Sequence, residues 1–403
     1  MRTLQLAWHY LWARPLGALL NVLLLGLGLG SMTFLLLVAH QLDAAFERDL
    51  AGIDLVVGAK GSPMQLILSG VLHIDVPTGN IPLAAVQALE KHPAVAQVIP
   101  LSLGDSIQGY RIVGTTQDYL AHYRATLAQG TFWGAPMQVV LGAEAARALQ
   151  LPVGAHFGGV HGLGAGGAEH ADSHYQVVGV LQASGSVLDR LVLTSTESVW
   201  QVHESGHAPG PDASRHAAEP EDGREITVAL IRYRSPLAAV TFPRMVNSTT
   251  ALQAASPALE ISRLLHMLGL GTDVLRGFAA VLLLTAGLSV FIALWNAVRE
   301  RRADLALLRM LGASPAKVAS LLLAEALWLG ALASGLGLWL GQGSVWALAH
   351  GLQLTPSVLL TAWAWPASLV WVPVSALAIA ALSAGLPAWG AYRASVMRQL
   401  QEN

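Results

Sequence analysis

The 403-residue sequence contains no cysteine. Disulfides and thiolate metal centres are thereby excluded, and the absence suits either side of a bacterial inner membrane. Charge is scarce as well: 12% of residues are charged, where soluble domains carry roughly 25%. The formal net charge of −2 leaves no global basic field for nucleic acid, so any useful charge must be local. Hydrolytic signatures are missing too. No Gly-x-Ser-x-Gly, no His-Glu-x-x-His and no clustered acid pair occurs, which argues against a membrane hydrolase. The stretch "IDLVVGAKGS" (53–62) has glycines, a lysine and a hydroxyl, but Lys60 precedes Gly61. A phosphate-cradling loop needs the opposite order, so this reads as a strand running into a turn, and the chain by itself binds no nucleotide.

Hydrophobic residues make up 54% of the chain, and they are concentrated in four runs: Leu16–Ala39, Gly277–Ala297, Val318 to about Val345, and Pro366–Trp389. Each suffices to span about 30 Å of hydrocarbon as a helix. The first is too long for a signal peptide and no A-x-A site follows it, so an uncleaved anchor is expected. Cations set the orientation. The link between the second and third runs holds Arg299, Arg301, Arg302, Arg309 and Lys317, whereas the link 350–365 holds none. By the positive-inside rule the basic link is cytoplasmic. Both termini then lie inside, and residues 41–270 lie outside together with Lys60.

The outer segment is long enough for one or two domains. "AVAQVIPLSL" and "YRIVGTT" read as strands, while "IPLAAVQALEKH" and "EAARALQL" read as short helices, predicting a mixed α+β domain. "GGVHGLGAGGAEHADSH" is read as a glycine-rich loop, and "HESGHAPGPDASRHAAEPEDGRE" as a mobile polar stretch. These two segments gather His156, His161, His170, His174, His203, His207 and His216. His161, His170, Asp172 and His174 form a candidate zinc set, because imidazole with carboxylate suits that ion; the alternative is a solvated loop.

In "RERRADLALLRMLGASPAKV" (299–318), Leu305, Leu308 and Leu311 recur at helical spacing and Arg301 can pair with Asp304. Gly312 provides a helix stop, and Ser314 with Pro315 a cap and first turn. A short amphipathic helix of about 299–313 is predicted. It anchors the spans at the headgroups, or it inserts into a groove of a cytoplasmic partner through Arg301, Asp304, Leu305, Leu308, Arg309 and Leu311. Gly26, Gly30, Gly330, Ser334, Gly337 and Gly341 recur three or four apart, the spacing of close helix packing. Glu325 lies within the third run, where a carboxylate calls for a partner or a polar cavity.

The whole pattern resembles the FtsX-like permease family of ABC transporters, the group with MacB and LolC/LolE type permeases. "RRADLALLRMLGASPAKV" is similar to its cytoplasmic signature and "LPAWGAYRASVMRQL" to its closing pattern. The segment from "GTTQDYLAHYRATLAQGTFWGAP" through "YQVVGVL" is similar to the MacB-like periplasmic core domain. The resemblance implies four transmembrane helices with an α+β extracytoplasmic domain between the first and second. It also implies an inner-membrane homodimer or pseudo-dimer clamped by two separate ATPase subunits, transmitting motion outward instead of passing substrate through a channel, with a periplasmic protein or lipoprotein as a further partner. The chain lacks a fused ATPase domain and carries His-rich segments. A non-transporting signalling scaffold and a zinc-homeostasis system are the alternatives.

Overall fold

The computed structural model describes residues 2–13, 15–162, 169–205, 223–300, 307, 309–351, 361 and 363–393. They divide into two units: Met1–Leu42 with Met267–Gln353 and Leu360–Asn403, and Asp43–His266.

In the outer unit twelve strands are described: β1 Leu55–Ala59, β2 Ile81–Pro82, β3 Val95–Ile107, β4 Tyr110–Thr115, β5 Leu127–Gly130, β6 Gln138–Leu141, β7 His156–His161, β8 Glu169–Leu181, β9 Val192–Ser195, β10 Glu225–Ile226, β11 Val228–Tyr233 and β12 Leu252–Ala255. The main sheet runs β12-β1-β11-β3-β4-β9-β6-β8-β5, with β7 pairing β3 and β8. Strands β4/β9 and β6/β8 are parallel, and the other pairs antiparallel. The "VVGA" run is therefore an interior strand. Because successive side chains point to opposite faces, β1 sends Val56 into one core and Leu55 and Val57 into another. The first core holds Leu66, Tyr119 and Leu188; the second holds Val86, Phe242 and Val246.

The expected glycine-rich loop is corrected in part. Residues 156–161 and 169–181 are strands, with Phe157 opposite Tyr175 and Gly158 opposite His174, while 163–168 lie outside the described residues. Low hydrophobicity did not prevent this, because β3 supplies a template through Asp105 and Ser106. Gly159 also lies so close to the core that an added Cβ would stand 3.2 Å from Ile112 Cδ1. Most of the second polar stretch, 206–222, lies outside the described residues, and His203 falls in the helix Thr196–Ser205.

One short sequence occurs twice in this unit. Pro82–Val86 and Pro236–Val240 both read PLAAV and open the helices Leu83–Glu90 and Ala238–Thr249. In the first copy Val86 is buried with Leu89. In the second the buried positions are Ala238, Phe242 and Val246, and Leu237 and Val240 are 80% and 66% exposed. Both helices pack on the same core.

The other unit contains four helices long and apolar enough to cross a membrane: Pro15–Leu50, Asp273–Glu300, Pro315–His350 and Ala367–Gly390. The first carries on into the outer unit through its last eight residues, 43–50. The second belongs to a continuous helix Pro257–Glu300. A preceding helix, Arg2–Trp12, buries Ala7 and Leu11 and sets the Trp8 ring edge-on to Trp328 at 4.9 Å.

Candidate functional site

Gly312 has φ +94° and ends a helical turn in which Leu311 N–H donates to the Leu307 carbonyl at 2.9 Å. Glycine alone takes that conformation without strain. Ser314 then caps the third long helix by accepting from Lys317 N–H at 3.3 Å, with Pro315 as its first residue. Of the expected coupling residues, Arg301, Asp304, Leu305 and Leu308 lie outside the described residues. Arg309 is half-buried, and Leu311 is 84% exposed. Leu307 and Met310, which the reading of leucines at helical spacing passed over, are exposed beside it at 52% and 57%. The turn therefore presents three apolar side chains.

The small residues meet other helices. A Cβ at Gly341 would stand 2.4 Å from Thr33 Cβ, and one at Gly337 2.5 Å from Leu29 Cβ. Gly26 and Gly30 face Leu336 and Leu340 of the third long helix, and Gly330 faces Ala376 of the fourth. Ser334 is buried and donates to the Ala331 carbonyl at 2.8 Å. Glu325 is buried and partnered. Polar contacts missed by the small-residue reading include Ser289 Oγ donating to Asn21 Oδ1 at 2.7 Å.

In the outer unit the last turn of the first long helix is anchored through side chains that no sequence motif announced. Asp49 is buried; its carboxylate accepts from Val187 N–H at 2.9 Å, and its carbonyl accepts from the Tyr123 hydroxyl at 2.8 Å. Arg48 donates to the Gly185 carbonyl. Asp189 in turn holds that loop by accepting from Ser184 and Gly185 N–H groups at 2.9 and 2.7 Å. Behind this anchor, Tyr119 hydroxyl and His73 Nε2 are 3.0 Å apart. Burial, then the nearby Arg111 and Arg190 guanidiniums, hold the His73 imidazole well below its usual range. Burial also lowers Arg111 to about 10 and raises Tyr123. Arg111 donates to the Ser69 and Asp75 carbonyls at 3.3 and 2.7 Å.

Of the candidate zinc set, His161 lies on β7 and His170, Asp172 and His174 on β8. The His174 side chain is exposed, and the other three side chains lie outside the described residues. Among the described residues no group of three or more metal-ligating side chains converges.

Four helices long and apolar enough to cross a membrane, with a mixed α/β domain between the first and second, set the architecture of the chain. Comparison with protein families places the FtsX-like permease C-terminal domain at residues 276–396 and the MacB-like periplasmic core domain at residues 18–241. The chain belongs to this FtsX/MacB-type permease family, the membrane components of ABC-type transporters. No curated protein matches it. Among solved structures, the crystal structure of the periplasmic region of MacB from Actinobacillus actinomycetemcomitans is similar at 13% identity, with a TM-score of 0.35, covering 55% of this chain and 97% of that one.

Proposed function

We propose that this chain couples ATP hydrolysis by two copies of a separate cytoplasmic ATPase to movements of the outer unit, for export or extraction of a substrate outside the membrane. In this reading the chain works as a homodimer with both termini cytoplasmic, and a periplasmic protein or lipoprotein is a further partner. The observation that carries it is the turn 307–312, where Leu307, Met310 and Leu311 are exposed beside a basic link. Apolar knobs on a charged turn suit a groove in a partner. Burying one such leucine is worth about 1.5 to 3 kcal/mol, so Leu311→Asp lowers retention of the ATPase about tenfold or more. Copurification of that variant with undiminished ATPase and full turnover would falsify the assignment.

A weak divalent-ion site on the β7–β8 hairpin is a second, separable proposal, supported by the density of His161, His170, Asp172 and His174. Only neutral imidazole ligates, so binding is opposed by protons. Zinc calorimetry on the full chain tests it: equal uptake after His161, His170 and His174 are all changed to alanine returns the hairpin to a bare structural role.

A further inference from the structure

The "AKGS" turn, which binds no phosphate, leads to the free edge of the main sheet. Lys60 Nζ donates to the Asn247 main-chain carbonyl at 2.9 Å, and Asn247 lies in the last turn of the helix Ala238–Thr249. β12 is the terminal strand of the sheet; β1 pairs it on one side, with Val57 opposite Ala254 and Ala59 opposite Leu252. In an antiparallel ladder alternate residues aim both backbone groups away from that partner. Leu252 and Ala254 do so here, and side chains meet them.

The Asn247 carboxamide accepts from Ala254 N–H through Oδ1 at 2.7 Å and donates to the Ala254 carbonyl through Nδ2 at 3.1 Å. One amide thus exchanges both bonds with one strand residue, as a neighbouring strand would. Gln253 Nε2 also donates to Oδ1, at 3.1 Å, so two donors fix which way the carboxamide turns. Thr250 Oγ1 accepts from Leu252 N–H at 3.1 Å and donates to the Val246 carbonyl at 2.6 Å. The side chains of Leu252 and Ala254 lie with Val246 in the second core, which holds strand and helix end together.

Free edges are ordinarily blunted by charge, proline or a bulge. β12 has none of these: no charged residue lies between Arg244 and Glu260, proline is absent from 244–256, and the register of β12 on β1 is unbroken. At the opposite edge β5 carries a register shift between Leu127 and Gln129 and ends at Gly130 with φ +76°, so each edge has a device of its own. We propose that Asn247 is an edge lock, its carboxamide holding the positions through which β12 would otherwise pair with the β12 of a second copy of the chain. A second copy is the partner excluded because an antiparallel strand is its own complement about a two-fold axis, and uncharged strands do not repel each other. The lock is independent of what the chain couples to or moves.

The test uses the full chain in detergent micelles, dilute and roughly a hundredfold more concentrated, with mass read by light scattering and amide exchange read over residues 250–256. The unaltered chain keeps one mass and exchanges these amides slowly. Asn247→Ala is expected to exchange them about tenfold faster when dilute and to reach at least about twice the mass when concentrated. Adding Ala251→Lys, a charge on the exposed residue beside Leu252, keeps the fast exchange and restores the original mass. Association that Ala251→Lys does not reverse, or that comes with faster proteolysis of the whole outer unit, reports unfolding and overturns the proposal. So does an Asn247→Ala chain that exchanges faster yet keeps the original mass at both concentrations, since Asn247 is then only a local brace.

Discussion

The pentapeptide Pro-Leu-Ala-Ala-Val opens two helices that cover the same core, yet the first buries its valine and the second exposes its leucine and valine. The difference lies in what precedes and follows. At Pro82 the chain is in β2, paired with β10, and Leu83 N–H donates to the Arg224 carbonyl at 2.8 Å; Val86 and Leu89 then point inward. At Pro236 there is no such strand: Ala238 and Ala239 N–H groups close turns onto Ser235 and Pro236. Phe242 and Val246, four apart, take the core and rotate the helix with them. Five identical residues adopt opposite burial because larger apolar side chains downstream decide which face wins.

The contrast is sharpest under a charge. Val86→Asp places a carboxylate in an apolar core and is expected to destabilise the outer unit by on the order of 5 kcal/mol. Val240→Asp shifts it by less than about 0.5 kcal/mol. Denaturant titration of the full chain, read by proteolysis of the outer unit, compares them, and equal losses would break the comparison. Next in size, Phe242→Ala should cost about 3 to 4 kcal/mol and release the ring from its contact with His92, 4.9 Å between centroids. Smaller still, the equivalent alanines separate the two faces: Ala238→Leu overpacks the core at a cost of about 1 to 3 kcal/mol, while Ala84→Leu stays near neutral.

The smallest change near neutrality comes from acid, and it leaves the contrast between the copies intact. His73 is neutral and buried, with its folded-state pKa lowered by burial first and by Arg111 and Arg190 after it. The unfolded chain therefore takes up a proton first, and stability present above about pH 6.5 declines as pH falls through that value. A stability titration between pH 8 and 5 should show this decline in the unaltered chain and in Val240→Asp alike. His73→Gln should flatten it, and an unchanged slope in that variant would assign the decline to other groups.

Much of the architecture was legible where local pattern carries it. The four apolar runs, the strands at "AVAQVIPLSL" and "YRIVGTT", and the Gly312–Ser314–Pro315 stop and cap all follow from composition and spacing. Positions that depend on distant partners were not legible. The β7–β8 hairpin forms because β3 offers an edge. Asp49 is buried only because a loop more than a hundred residues away offers Val187 N–H. The helix Arg2–Trp12 escaped because eleven mixed residues carry little hydropathy signal, although their apolar stripe meets Trp328. At the turn that ends at Gly312, periodicity selected Leu305, Leu308 and Leu311, and the exposed side chains Leu307 and Met310 fall off that stripe.

The adjacency of β1 and β12 has a consequence for connectivity. The strand that opens the outer unit and the strand that closes it are neighbours, Val56 beside Ala255, about 5 Å apart as paired strands are. Inserted in a host chain, such a unit demands a gap no wider than a hairpin loop. Entry and exit so close together are what let a folded domain sit as an insertion within one continuous chain, its junctions falling in the helices on either side.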